Sequence, residues 1–201
     1  MNQPLHLLLV GLAWTLWGTS HSLLASTRIK RAVRARAPSL CPLYRVGFNA
    51  VAGLGFAVSA GLSWYLLSDP GLSLFPGPYA VPQLVALGAA LWLFAAGARG
   101  YDLMDFVGLR QLSGRTSATL GSLAREGVHR LVRHPWYLGT LLLIWARADG
   151  AAVAYVNLWL TAYLLVGTVL EERKLAEELG GEWDAYRREV PMLIPRLTKR
   201  A

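Results

Sequence analysis

The chain has 201 residues, of which 54% are apolar and only 16% are charged, and its mean hydropathy is +0.37. This composition excludes a disordered chain and is unlike that of an ordinary water-soluble domain. The single cysteine, Cys41, excludes a disulfide framework within the chain. The net charge of +8 indicates that the basic residues either bind an anionic partner or lie on one side of a membrane.

Long apolar runs dominate the first half of the chain. A helix needs about 20 mainly apolar residues to cross a bilayer, and runs of this length cover 5–24, 44–67 and 79–98. The first run precedes its basic cluster, the reverse of a signal peptide, so we expect a retained span. Residues 68–78 are rich in proline and glycine and predict a tight turn.

The second half predicts a helical hairpin with arms of unequal length. The apolar run 136–148 gives a helix of about 20 Å, too short to cross a bilayer alone. Asp149-Gly150 predicts a turn, and 151–170 predicts a return helix that continues to Leu179 and stops at Gly180. We therefore expect an all-α polytopic membrane protein, a single domain over 1–201 with about five transmembrane helices and a tail over 171–201.

The basic residues orient this arrangement. All but Arg147 of the 20 lysines and arginines fall on one side of the five predicted spans. The positive-inside rule then places the N-terminus outside and the C-terminus in the cytoplasm, in the inner membrane of a bacterium. Because membrane topology accounts for the basic pI, a nucleic-acid partner loses its support.

The polar cluster at 133–139 is the strongest candidate for a site. Pro135 suits the first turn of a helix, whose N-terminus favours an anion beside His134. Gly139, one turn further on, leaves space for a ligand or for a neighbouring helix. The alternative is an interfacial anchor, since tryptophan and tyrosine belong at the level of the lipid headgroups.

Further polar residues lie at the ends of the other apolar runs. Glu171 and Glu172 point about 100° apart on a helix, so one carboxylate is expected to face inward, where it suits an amine-bearing ligand. A solvated helix end is the alternative. Asp105 and Arg110 interleave with apolar residues, which predicts a membrane-surface helix that caps the bundle or acts as a lid. His21 lies at the end of the first run, and the four histidines do not have the spacing of a metal site.

Several motifs resemble a known family when taken in order. The C-terminal third resembles the integral-membrane methyltransferases typified by isoprenylcysteine carboxyl methyltransferase and phospholipid N-methyltransferase. The match rests on Arg133-His-Pro-x-Tyr-x-Gly139, Glu171-Glu172-x-x-Leu175, Leu179-Gly180, Tyr186 and Val190-Pro191-x-x-x-Pro195. The segments 21–26 and 105–111 are similar to the thiol-methylating bacterial branch, the methanethiol S-methyltransferases, and to NnrU-like proteins.

This resemblance implies a cofactor and a set of site residues. S-adenosylmethionine is expected in a pocket between the last two helices and the C-terminal segment, lined by His134, Tyr137, Gly139, Glu171, Glu172 and Tyr186. The implied acceptor is a small thiol such as methanethiol, with Asp105, Arg110 and His21 as catalytic candidates. Residues 146–150 depart from the thiol-methylating pattern, which leaves a prenylcysteine carboxylate or a lipid amine open as acceptor. An NnrU-like, non-enzymatic protein of nitrogen-oxide metabolism is the other alternative.

Overall fold

The computed structural model describes residues 3–67, 79–99, 103–112, 125–146 and 150–196. No strand occurs in these ranges, so the predicted all-α class is confirmed. The predicted turn at 68–78 and residues 147–149 of the predicted hairpin tip lie outside them. In chain order the helices are α1 (Gln3–Ala25), α2 (Thr27–Arg36), α3 (Cys41–Leu67), α4 (Ala80–Ala98), α5 (Leu103–Val107), α6 (Leu109–Leu112), α7 (Pro135–Trp145), α8 (Ala151–Leu179) and α9 (Gly181–Glu189).

Within the described ranges, four helical segments are long and apolar enough to cross a membrane. They are Gln3–Ala25, Pro38–Leu67, Ala80–Ala98 and Ala151–Leu179. Large apolar side chains on these helices stay exposed, such as Leu16 at 70% and Leu54 at 69%, as contact with lipid requires. The polytopic architecture is thus confirmed. The predicted fifth helix, α7, has 11 residues and is about 16 Å long, so it is only a partial crossing.

The chain forms two compact units. The first consists of Met1–Pro70, Asp102–Leu120 and Leu158–Leu160, and the second of Gly71–Tyr101, Gly121–Asn157 and Thr161–Ala201. The first unit therefore holds α1, α2, α3, α5 and α6. The second holds α4, α7, α9 and most of α8.

Tryptophans join α1 to α3 in the first unit. The indole N–H of Trp14 donates to Ser63 Oγ at 3.0 Å, and that of Trp17 donates to the carbonyl of Ala52 at 2.9 Å. Both rings meet Phe56 edge to face, at centroid distances of 5.3 and 5.4 Å. Gly55 admits Trp17, because a Cβ at Gly55 would lie 2.9 Å from the indole ring. Small residues and hydrogen bonds of this kind hold helices together in a bilayer, because the lipid is as apolar as the side chains and the hydrophobic effect does not favour helix association there.

Gly108 divides the segment 101–111, for which the sequence predicts a membrane-surface helix or a lid, into the two short helices α5 and α6. Its φ of +93° is a left-handed conformation that interrupts a right-handed helix. The break also brings the backbone against α3, since a Cβ at Gly108 would lie 2.9 Å from Val46 Cγ2 and 3.0 Å from the Val46 nitrogen. The segment is thus fitted closely to α3.

Two glycines let α4 and α7 approach in the second unit. A Cβ at Gly97 would lie 2.5 Å from the indole nitrogen of Trp136, which donates to the carbonyl of Phe94 at 3.3 Å. A Cβ at Gly139 would lie 3.3 Å from the carbonyl oxygen of Ala90. The two helices therefore pack through close contacts that a larger residue at either glycine would disturb.

We expect Gly97→Ala to lower the free energy of unfolding by about 1–3 kcal/mol, because the new methyl group overlaps the Trp136 ring. Gly88→Ala is the matched control on the same helix, since nothing lies within 4 Å of a Cβ there. That control should be neutral or slightly stabilising. Denaturant titration of both variants in the same detergent measures the difference, and equal stability of the two would contradict the packing of Trp136 on Gly97.

Hydrogen bonds join α7 to α8. Asn157 on α8 donates to the carbonyl of Ile144 at 2.7 Å, and the indole of Trp145 donates to Thr161 Oγ1 at 2.9 Å. Helix α8 ends at Gly180, whose φ is +54°, as the glycine pair predicts. Helix α9 then buries Trp183, Tyr186 and Val190 against Leu175, Ala176 and Leu179 of α8.

Candidate functional site

The predicted site residues fall into two groups. The six candidate cofactor-binding residues belong to the second unit, and the three catalytic candidates belong to the first. In the second unit, four of the polar side chains lie together: Arg133, His134, Glu171 and Glu172. The first two directly precede α7, and the two glutamates lie on α8. The segment after α9 packs against them.

Glu172 is the centre of this cluster. Its Oε1 accepts hydrogen bonds from Arg133 Nε at 2.8 Å and from Arg133 Nη2, and it lies 3.1 Å from His134 Nε2. The side chains of Arg133 and Glu172 are only 9% and 17% exposed. A buried carboxylate is costly without a partner, and the guanidinium supplies both the opposite charge and directed hydrogen bonds. Of the two neighbouring glutamates, Glu172 is therefore the inward one.

Arg133 also ties the C-terminal segment to the start of α7. Its Nη1 donates to the carbonyls of Arg187, at 3.1 Å, and Val190. The backbone N–H groups of Arg133 and His134 donate to the carbonyls of Pro191 and Met192 at 2.9 and 3.2 Å. Proline at 135 keeps His134 non-helical, with φ −122° and ψ 69°, which leaves its N–H for this pairing. One side chain thus connects α8, α9 and the loop before α7.

Burial lowers the pKa of His134. The carboxylates of Glu171 and Glu172 oppose this shift, and the nearby charge of Arg133 reinforces it. The ring is therefore neutral at pH 7. Because a carboxylate only accepts hydrogen bonds, we assign the ring proton to Nε2, facing Glu172, which leaves Nδ1 as an acceptor.

Nδ1 of His134 lies 3.8 Å from Oε2 of Glu171. That carboxylate oxygen is buried and has no hydrogen-bond partner among the described residues, although the Glu171 side chain as a whole is 42% exposed. Two acceptors thus face each other with no donor between them. A buried polar atom of this kind needs a partner, and a ligand with an ammonium or hydroxyl group can donate to both.

The other three predicted cofactor residues have varied surroundings. The ring of Tyr137 lies 5.4 Å from that of His134, next to the acceptor pair. Tyr186 is 3% exposed, and its hydroxyl donates to the carbonyl of His129 at 2.7 Å. Gly139 faces the backbone of α4. The close approach of this helix, more than space for a ligand, therefore accounts for a glycine at this position. Cofactor binding by Tyr186 and Gly139 stays a prediction.

In the first unit Asp105 acts as an anchor. Its Oδ2 pairs with Arg45 at 2.8 Å, and its Oδ1 accepts from Gln111 Nε2 at 2.7 Å. Asn49 on α3 donates to the carbonyl of Val107 at 3.2 Å. Oδ2 of Asp105 and the Asn49 contact therefore fasten the α5–α6 segment to α3, while Oδ1 joins α5 to α6, an arrangement unlike that of a freely opening lid.

The remaining catalytic candidates lie in different settings. Arg110 is exposed on α6. The ring of His21 packs 4.9 Å from that of Phe48 and 5.7 Å from that of Trp17. The catalytic roles of Asp105, Arg110 and His21 stay predictions. Within the part of the chain that the structure describes, no group of three histidine, cysteine or acidic residues is arranged to hold a metal ion.

Trp183 was not predicted from the pattern, and for Arg133 the sequence predicts a place beside an anion at the start of α7 but not the pairing with Glu172. Arg133 lies in the motif beside His134, but its carboxylate partner is 39 positions away. Trp183 is 1% exposed and its ring lies 5.7 Å from the Arg133 guanidinium. The spacing of Trp183, Tyr186 and Val190 by three and four residues is the signal of a buried helix face that identifies it.

Comparison with known proteins supports the resemblance drawn from the motifs. Methanethiol S-methyltransferase 2 of Bradyrhizobium diazoefficiens is 42% identical over 114 residues, which cover 54% of this chain and 44% of the relative. Methanethiol S-methyltransferase of Pseudomonas deceptionensis is 29% identical over 210 residues, covering 98% of this chain and 76% of the relative. The enzyme of that name from Mycobacterium tuberculosis is 36% identical over 120 residues, covering 55% and 49%.

The matched segments thus span less than half of the Bradyrhizobium and Mycobacterium relatives. No protein-family profile matches the chain, and no solved structure matches it.

Proposed function

Because the chain is a relative of the methanethiol S-methyltransferases in sequence, we propose that it is a membrane methyltransferase that uses S-adenosylmethionine to methylate a small thiol such as methanethiol. The observation that carries the proposal is the pair of acceptors formed by His134 Nδ1 and Glu171 Oε2.

The acceptor pair fits the donors of S-adenosylmethionine. The cofactor carries an α-ammonium group and two ribose hydroxyls, each able to donate to a carboxylate and to a neutral imidazole. The aromatic ring of Tyr137 lies beside the pair. We assign the ammonium or a ribose hydroxyl to His134 and Glu171, and the cofactor carboxylate to the start of α7, where the helix dipole favours an anion.

The cofactor, when bound, supplies an electrophilic methyl group on a sulfonium sulfur. The side chains of the protein hold the reactants in position and shield them from water. Arg133 balances the charge of Glu172, so that Glu171 is the carboxylate left to meet the ligand. Glu172 holds the His134 ring through Nε2, which keeps Nδ1 turned towards the ligand. The apolar helices α4 and α7 exclude water from their contact.

A small thiol is the acceptor class that best suits this proposal. The relatives that match are named for methanethiol. A thiol reacts as its thiolate, so a base or cation must lower its pKa, and Asp105, Arg110 and His21 remain the candidates for that task. A prenylcysteine carboxylate is already ionised at pH 7 and would need no such group, whereas a lipid amine would also have to lose a proton before it reacts.

Calorimetric titration of the detergent-purified protein with S-adenosylhomocysteine tests the cofactor assignment. We expect saturable binding at one site per chain. An NnrU-like protein without enzymatic activity predicts no binding heat, so a flat titration of folded protein would contradict the proposal.

We further propose that the N-terminus lies outside and the C-terminus lies in the cytoplasm of a bacterial inner membrane. A cysteine placed at Pro76 should then react with a membrane-impermeant maleimide in intact cells, whereas one placed at Arg200 should react only after the membrane is opened. A Cys41→Ser background removes the native thiol. The reverse labelling pattern would contradict the orientation.

A further inference from the structure

Helix α2 carries a dense positive charge. Its sequence from Thr27 to Arg36 contains five basic residues and no acidic one. Arg28, Arg31 and Arg34 are exposed, and their spacing of three residues places them along one side of the helix. Ile29 and Val33 are half-buried, four residues apart on another side. The helix is therefore amphipathic, with a cationic face turned away from the protein.

The position of α2 follows from the helix before it. With 23 residues, α1 is about 34 Å long, close to the thickness of the apolar core of a bilayer. The chain then turns at Ser26, whose extended backbone, φ −64° and ψ 147°, ends one helix before the next begins. The hydroxyl of Ser26 caps α2 by accepting from Ile29 N–H at 3.4 Å. A helix that starts where a full-length span ends lies at the level of the lipid headgroups.

These two observations together point to a partner. We propose that α2 is a binding surface for anionic phospholipid headgroups, held by electrostatic attraction between its arginines and lipid phosphates. Clusters of four to eight basic residues next to a membrane span are typical of such surfaces. Arginine suits phosphate because its planar fork donates two parallel hydrogen bonds. Within α2, Arg31 Nε donates a hydrogen bond to the carbonyl of Thr27 at 3.4 Å.

The test compares lipids in contact with the reconstituted full-length protein. The protein is placed in phosphatidylcholine vesicles with a small amount of spin-labelled phosphatidylglycerol or spin-labelled phosphatidylcholine. The motionally restricted fraction of each label gives the relative association constant. We expect the wild-type protein to prefer phosphatidylglycerol about threefold or more, and raised salt to reduce this preference.

Substitutions at α2 identify the source of the preference. The triple variant Arg28→Gln, Arg31→Gln, Arg34→Gln should bring the relative association constant close to one. The charge-conserving variant with lysine at the same three positions should keep most of the preference, which separates loss of charge from loss of structure. A matched control removes three exposed cations elsewhere, Lys174→Gln, Arg188→Gln and Arg196→Gln, and should behave as wild type.

Three results would overturn the proposal. They are equal association of both lipids with the wild-type protein, an unchanged preference in the glutamine variant of α2, and an equal loss in the control variant. The readout does not depend on methyl transfer or on S-adenosylhomocysteine binding, so this inference and the proposed function succeed or fail separately.

Discussion

Replacing Glu171 with glutamine is expected to weaken S-adenosylhomocysteine binding about tenfold or more. The substitution removes the charged acceptor that faces His134 Nδ1 at 3.8 Å. A hydrogen bond to a charged group contributes about 1.5–3 kcal/mol, which corresponds to a loss of at least tenfold in affinity. His134→Ala is expected to have an effect of similar size, because it removes the second acceptor.

Calorimetry under matched detergent conditions measures both effects. Glu177→Gln is the control, since Glu177 is an exposed carboxylate on the same helix. It should bind as the wild-type protein does. If Glu171→Gln and His134→Ala both kept wild-type affinity while the protein remained folded, the acceptor pair would have no part in cofactor binding.

Arg133→Ala is expected to destabilise the fold by about 3–5 kcal/mol. Removing one partner of a buried ion pair leaves an uncompensated charge, here that of Glu172 at 17% exposure. The substitution also removes hydrogen bonds to the carbonyls of Arg187 and Val190. Arg130→Ala, three positions earlier on an exposed side chain, should change stability by less than about 0.5 kcal/mol.

A double-mutant cycle isolates the ion pair. Glu172→Ala removes the charge that Arg133→Ala leaves unpaired, so the double variant should be more stable than the sum of the single effects predicts, by about 1 kcal/mol or more. Denaturant titration of the four proteins in one detergent gives the four free energies of unfolding. Strict additivity would mean that Arg133 and Glu172 do not interact.

Much of the architecture follows from local properties of the sequence. The apolar runs predict the spans because length and hydropathy are read within about 20 residues. The start of α7 at Pro135 and the end of α8 at Gly180 also agree with prediction, since proline and glycine act through their own backbone restrictions. The break at Gly108 does not follow from the sequence, because the apolar pattern of 101–111 is compatible with an unbroken helix. The φ of +93° and the contact with Val46 decide that position.

The site is less accessible to sequence reasoning because its members are distant in the chain. The 100° between successive helix positions predicts that Glu171 and Glu172 point in different directions, but only the position of Arg133, 39 residues earlier, shows that Glu172 is the buried one. The resemblance implies Asp105 as a catalytic candidate, and that role stays a prediction. Its ion pair with Arg45, 60 positions away, could not be predicted from the local pattern.

Methyl transfer from S-adenosylmethionine to a small thiol can be observed by following the methyl group itself. Purified protein is supplied with methanethiol and S-adenosylmethionine carrying a trideuterated methyl group, and the headspace is analysed by gas chromatography with mass detection. We expect labelled dimethyl sulfide from the wild-type protein and much less from Glu171→Gln. No labelled product from methanethiol or sulfide, alongside transfer to a farnesylcysteine analogue, would contradict the thiol acceptor. Absence of transfer to any of these acceptors by protein that binds S-adenosylhomocysteine would contradict a methyltransferase function.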